Sequence, residues 1–214
     1  MATALDGAGF DGSAVGSAHV TDADPFRDRL LDGLAASIGE RGYRDTTVAD
    51  IVRHARTSKR TFYEQFASKE ECLIEVLRRN NENLIANIRA ATDPEADWQD
   101  QIGQAAAAYV DHIASRPAIT LSWIREAPAL GAKALPLNRL AMERLTDMLV
   151  DLSDSPGFRR ANLAPITPPL ALIIVGGLRE LTALYVEDGQ DVHGITETAV
   201  TASTAILGLA STQH

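Results

Sequence analysis

The sequence predicts an all-α protein in which a small N-terminal three-helix module precedes a larger helical body. Three observations carry this. Apolar residues recur at three- and four-residue intervals through most of the chain, as in Phe26, Leu30, Leu34 and Ile38, the spacing that gathers side chains on one helix face. Capping pairs and prolines punctuate these runs, as at Thr47-x-x-Asp50, Ser68-x-x-Glu71 and Asp93-Pro94, where they would satisfy or end the helical hydrogen-bond ladder. No strand signal appears. With 214 residues and 45% hydrophobic content, the chain can bury enough surface for a module joined to a larger domain.

Residues 1–23 are rich in Gly, Ala, Ser and Asp without helical period and are expected to form a disordered tail. Order should begin at Asp24-Pro25, a capping residue followed by a proline whose missing N–H is no loss in the first turn. Gly39 and Gly42 should end this first helix. The second helix opens on the Thr47/Asp50 capping pair and continues with Val48, Ile51, Val52 and Ala55 on one face. The chain caps again at Thr57 or Ser58, and Phe62 and Phe66 place two rings on one side of a short third helix. A long fourth helix starts at Ser68 and runs through Leu73, Val76, Leu77, Leu84 and Ile88 to Asp93-Pro94. Helical stretches follow at about 95–115, 117–126, 132–154, 167–188 and 194–210, separated by Pro117, Pro128, Ser155-Pro156-Gly157, Pro168-Pro169 and Gly189.

The formal charge of -9 argues against a protein that coats a polyanion over its whole surface, because the mean field would repel phosphate. The charge is uneven, however. Residues 41–60 hold six basic and two acidic side chains, a net +4, while residues 81–214 hold nine basic and sixteen acidic, a net -7. A basic segment on an acidic body suits a localised nucleic-acid contact, although solvated helices often carry a similar excess. The single cysteine, Cys72, excludes a disulfide within the chain and is expected to be inert core. Five histidines without ligand spacing give no reason to expect a metal site, and no cofactor-binding motif appears. The N-terminus lacks the pattern of a signal peptide, and Arg179 and Glu180 interrupt the most apolar window. A soluble cytoplasmic protein without a membrane span is expected.

Two short helices joined by about three residues, the second held by Phe62 and Phe66, have the form of a helix-turn-helix. At 100° per residue, Arg60, Thr61 and Glu64 lie opposite the rings, with Lys59 and Tyr63 at the edges. Such a polar, basic face can donate to guanine edges, offer a hydroxyl or methyl to a base and bond a phosphate. A helical hairpin with a merely solvated outer face would show the same periodicity.

Thr46-Thr47-Val48-Ala49-Asp50-Ile51, Ser58-Lys59-Arg60-Thr61-Phe62-Tyr63-Glu64-Gln65-Phe66 and Ser68-Lys69-Glu70 together resemble the DNA-binding domain of the TetR/AcrR family of bacterial regulators. The likeness covers about residues 25–78. It implies a helix-turn-helix DNA-binding domain at 24–68, a C-terminal helical ligand-binding and dimerisation domain at 69–214, and a homodimer on a palindromic operator in duplex DNA. By position it assigns Lys59, Arg60, Thr61 and Gln65 to bases or nearby backbone, and Thr47, Tyr63 and Lys69 to phosphates. For Lys69 the positive end of the fourth helix offers an independent reason. The sequence departs from the family at Arg56, where glycine commonly ends the second helix; a left-handed arginine there would cost roughly 1 kcal/mol.

The family likeness makes Tyr109, Trp123, Met142 and Ile173 candidate walls of a pocket for a hydrophobic small-molecule effector, though each residue type is as much at home in a plain core. Arg116, Arg125 and Glu126 are the nearest partners for a charged ligand, and a cationic drug is the second ligand class. Pro168–Val186, with Gly176-Gly177, and the small-residue run Ala199, Ala202, Ala205 and Gly208 fit a helical dimer interface. The competing readings are a pocket enzyme, for which no catalytic cluster is visible, and a protein-interaction adaptor that keeps the three-helix module without binding DNA.

Overall fold

The computed structural model describes residues 25–210; the expected tail and the Asp24 cap lie outside the described residues. Among the described residues ten α-helices follow one another: α1 Pro25–Asp45, α2 Val48–His54, α3 Lys59–Gln65, α4 Lys69–Ala91, α5 Trp98–Ser115, α6 Pro117–Leu121, α7 Leu135–Ser153, α8 Pro156–Arg160, α9 Pro168–Glu187 and α10 Ile195–Ala210. No strand occurs among the described residues.

In α1 the stripe of Leu30, Leu34 and Ile38 is buried, whereas Phe26 is largely exposed. Gly39 lies within the helix, and the break falls at Gly42 alone, with φ 78° and ψ 164°. That positive φ is open to glycine without penalty, and it turns the last residues so that Tyr43 is buried. The helix expected at 117–126 is divided: α6 passes into a π-helical turn, Ser122–Glu126, then a 3-10 segment, Ala127–Lys133, before α7 begins. The Pro156-Gly157 pair does not merely separate helices; Pro156 opens the one-turn α8.

α1, α2 and α3 close over the N-terminal part of α4, and this core takes in residues from well beyond it. Leu30, Leu34, Ile51, Phe62, Phe66, Leu73 and Leu77 form one cluster with Ile119, Trp123, Ala127 and Ala183. The body divides differently, into an α5–α8–α9–α10 cluster around Phe158 and Ile174, an α5–α10 cluster around Val110 and Ile195, and an α4–α7 cluster around Ile88 and Met148. α4 therefore serves both regions. α9 has the length and apolar composition to cross a membrane, yet it packs Ala171, Ile174, Thr182 and Ala183 into the body and carries Arg179 and Glu180 mid-helix.

Candidate nucleic-acid interface and effector cavity

The geometry of the helix-turn-helix follows from its caps. Thr47 and Asp50 form the reciprocal pair at the start of α2: Asp50 N–H donates to Thr47 Oγ1 at 3.3 Å, and Thr47 N–H donates to Asp50 Oδ2 at 3.0 Å. Hydrogen bonds from Thr47 hold the Asp50 carboxyl below the usual carboxylate range. Ser58 caps α3 by accepting from Thr61 N–H at 3.1 Å. At the start of α4, Ser68 accepts from Glu71 N–H, but Glu71 reaches back to Ala67 N–H, one residue before the expected partner.

Between α2 and α3 the turn hinges on Arg56, whose φ of 50° is the left-handed conformation that the missing glycine would require. The arginine side chain is exposed, so the strain is local backbone strain and not a packing defect. α1 and α2 approach closely at Gly33, where an added Cβ would stand 2.6 Å from the Ile51 carbonyl oxygen. Phe62 and Phe66, with ring centroids 5.7 Å apart, are enclosed and fix which face of α3 looks outward.

That outward face carries Lys59, Arg60, Tyr63 and Glu64, all exposed, and Thr61, half-buried. Arg60 donates to Glu64 at 2.9 Å while remaining 89% exposed, so its guanidinium is free to exchange that partner for a nucleic-acid acceptor. Tyr63 is exposed beside the buried Phe62 ring. Gln65 is half-buried at the helix end, and its carbonyl accepts from Arg27 at 3.0 Å.

Lys69 requires a correction. Its ammonium turns inward, donating to the Tyr43 and Thr46 carbonyls at 3.0 and 2.7 Å and lying 4.3 Å from the Tyr43 ring centroid. Two carbonyls and an aromatic face already engage the charge, so the lysine ties the end of α1 to α4 instead of standing ready for a phosphate.

From α3 a line of charged contacts runs along α4 into the body. Arg27 stacks 4.3 Å over Phe66 and approaches Glu75 at 3.9 Å; Glu75 pairs with Arg78, Arg78 with Glu82, and Glu82 with Arg144 of α7. The hydrogen bond from Arg78 holds the Glu75 carboxyl below the usual range.

In the body a cavity of ≈ 150 Å³ lies between α4, α5, α7 and α9, closed at one end by α6 and the π-helical turn. Its walls are largely apolar. Tyr109, Trp123 and Met142 line it, with Leu84, Ile88, Met148 and Phe158 among the others. The Tyr109 hydroxyl shares a 2.7 Å hydrogen bond with Thr182, and burial pushes its pKa up to about 12. Ile173 is not a wall: it is 60% exposed on the outer face of α9, and the helical phase gives the lining to Ile174, Val175 and Leu178 instead. Arg116 lies outside the cavity, and Arg125 is held by Glu180 and Glu187 on α9, which leaves it no free charge for a ligand.

The polar lining that residue-by-residue reading missed includes Asn81, His112 and Arg179 toward α6 and Gln101 and Ser153 toward α8. One signal was present: Asn81 falls between Leu77 and Leu84 on the α4 apolar stripe, where a leucine would be ordinary. His112 accepts from Asn87 at 3.2 Å on Nδ1 and donates from Nε2 to Asn80 Oδ1 at 3.2 Å, the pattern of a neutral imidazole; burial, then the charge of Arg116, lowers its pKa.

Residues 30–76 match the family model described as bacterial regulatory proteins, tetR family. Among curated proteins, the HTH-type transcriptional activator FasR of Mycolicibacterium smegmatis is 31% identical over 90 residues, 42% of this chain and 41% of that protein. The HTH-type transcriptional repressor KstR2 of Mycobacterium tuberculosis is 42% identical over 71 residues, 33% of this chain and 36% of that one. The match thus spans about two fifths of the length of these relatives. Among solved structures, the transcriptional regulator FadR from Bacillus subtilis, in complex with stearoyl-CoA, superposes with a TM-score of 0.69 at 15% identity, covering 84% of this chain and 97% of that one; this likeness shows the fold. The matched segment, a capped helix-turn-helix, is thus similar to the tetR family of bacterial regulatory proteins, and the chain around it shares the fold of the Bacillus subtilis regulator.

Proposed function

We propose that the protein is a homodimeric, ligand-responsive repressor that binds a palindromic operator through α3 and leaves it when a lipophilic small molecule fills the cavity. The carrying observation is the division of α3 into an enclosed aromatic face and an outward face of exposed Lys59, Arg60 and Tyr63 with half-buried Thr61, on a basic stretch of an acidic chain. Lys59, Arg60, Thr61 and Gln65 are assigned to bases and adjoining backbone, and Thr47 and Tyr63 to phosphates. The module occupies about residues 24–68 and the ligand-binding and dimerisation domain 69–214. Acting on duplex DNA places it in the cytoplasm.

Dimerisation is assigned to α9 and α10. Leu172, Ile173 and Leu184 are exposed, and Gly176, Gly177, Ala202 and Ala205 on the same two helices are small and exposed. Such a surface is suited to close packing against a second copy. An acyl-type effector fits the apolar cavity, and stearoyl-CoA bound to the Bacillus subtilis protein of the same fold supports that class. The effector would act by preferring a dimer whose two α3 helices are wrongly spaced for successive major grooves. Moving the operator from mostly bound to mostly free requires several kcal/mol of discrimination between the two states.

Selection of random duplex DNA on the purified protein, repeated with Arg60→Ala plus Tyr63→Ala, tests this reading. Enrichment of a palindrome that the double variant no longer retains, with unchanged melting temperature, is the expected result. A folded dimer that enriches no sequence favours the adaptor reading.

A further inference from the structure

The cavity has two chemically different ends. On α4 and its C-cap the lining residues run from Asn80 to Thr92, and on α5 from Gln101 to Ile113, so at 1.5 Å per residue the cavity extends about 18 Å along both helices. Toward α8 the polar side chains are already satisfied. Gln101 donates to the Pro94 and Ala96 carbonyls and accepts from Ser155, while Ser153 donates to the Val150 carbonyl and accepts from Ile166 N–H. That end presents apolar surface to an occupant.

Toward α6, His112, Asn80 and Tyr109 are hydrogen-bonded, but Asn81 and Arg179 are not satisfied. Asn81 is only 7% exposed and lines the cavity; among the described residues its carboxamide has no hydrogen-bond partner. Arg179 also lines the cavity, and its Nε is buried without a partner. Its one hydrogen bond among the described residues goes from Nη2 to the Ile124 carbonyl at 3.3 Å, and no carboxylate lies within ion-pairing distance of it. Glu180, the adjacent residue, is taken by Arg125. A partly desolvated guanidinium without a direct ion-pair partner is costly, and burial lowers its pKa as that cost requires. The two groups share one end of the cavity: Arg179 neighbours Tyr109, which lies one helical turn from His112, and His112 bonds Asn80, next to Asn81.

We infer that the cavity binds a linear amphipath with a terminal carboxylate, the carboxylate held by Arg179 and the Asn81 carboxamide beneath α6 and the apolar chain extended along α4 and α5 toward Phe158. Arg179 supplies the missing ion pair, and Asn81 donates an N–H to the same head group. The unbranched chain follows from the length of the cavity and its small free volume. This rests on the proposed effector role of the cavity, but the carboxylate assignment is separable from DNA binding.

The test uses the full-length protein and calorimetric titration with straight-chain saturated carboxylic acids, the alcohol and methyl ester of each, and the coenzyme A thioester. The acid of best-fitting length should bind at least tenfold more tightly than its alcohol or ester. Arg179→Gln should abolish that preference while leaving alcohol affinity within about twofold, and Asn81→Leu should weaken acid binding severalfold. Circular dichroism and melting of each variant establish that it is folded; if Arg179→Gln does not fold, Arg179→Lys should retain the acid preference at reduced affinity. Equal affinity for acid and alcohol, a thioester that binds where the acid does not, or no binding by any chain length would overturn the assignment. Operator binding measured alongside keeps that failure distinct from failure of the regulator reading.

Discussion

Around the two short helices the large side chains are almost wholly enclosed: Leu30, Leu34, Ile51, Phe62, Leu73 and Leu77 are each 0% exposed. In the body, residues of the same kinds stand around a cavity of ≈ 150 Å³, and the core is split into three clusters around it. The filled region has one arrangement to hold, which suits the proposed role of α3, since a rigid helix presents the same side chains each time it meets a groove. The hollow region keeps unfilled space that an occupant can complete. Packing that is uniformly dense would serve the first role and defeat the second.

The largest effect should come from emptying the filled region. Phe62→Ala removes a ring in contact with Phe66 and Tyr63 and should destabilise the protein by about 3–5 kcal/mol, read by chemical denaturation, with loss of any sequence-selective DNA binding. Retention of full stability would mean that the module is as loosely packed as the body.

Adding atoms should separate the two regions more sharply. Gly33→Ala forces a Cβ against the Ile51 carbonyl and should cost about 1–3 kcal/mol. Ala105→Leu extends into the cavity and should leave stability within about 1 kcal/mol while weakening effector binding at least tenfold. The pair is read by melting and ligand titration, and equal penalties at both positions would erase the contrast.

The smallest effect concerns the charged line between the regions. Glu75 is held ionised by Arg78, so its folded pKa lies below its unfolded one. Its contribution is therefore fully present above the ordinary glutamate range and is lost as pH falls through the folded value. Glu75→Gln should lower stability by about 1 kcal/mol or less near neutrality, since the pairs are partly exposed, and the two proteins should converge in acid. Melting curves across that range measure the convergence; a constant gap would assign the effect to packing of the side chain instead of its charge.

The module was far more legible in the sequence than the body. Its caps are local: Thr47 with Asp50, and Ser58 ahead of Phe62 and Phe66, act within three to eight residues, so spacing alone locates them. Arg56 was readable as a strained turn for the same reason, and the structure gives it positive φ. The body depends on helical phase between distant segments. Adjacent residues in α9 differ by 100° in direction, which is why Ile173 faces outward while Ile174 lines the cavity. Lys69 misled for a related reason, since the carbonyls it binds belong to residues 23 and 26 positions earlier. Asn81 was visible as a polar residue on an apolar stripe, but its lack of a partner is a three-dimensional fact.

The burial of Ile119, Trp123 and Ala183 in the same cluster as the residues of α1–α3 bears on how this protein could be recombined. A hybrid that grafts its helix-turn-helix segment onto a foreign body cannot be spliced at the loop before α4, because Cys72, Leu73, Val76 and Leu77 would be replaced by side chains shaped for another lid. The natural seam runs lengthwise through α4, and a workable graft must carry that helix through Leu77 together with counterparts of Ile119 and Trp123. Exchange of such segments is therefore constrained by a shared wall, so that, on the proposed function, a new operator is reached more readily by changing the outer face of α3 than by trading whole modules.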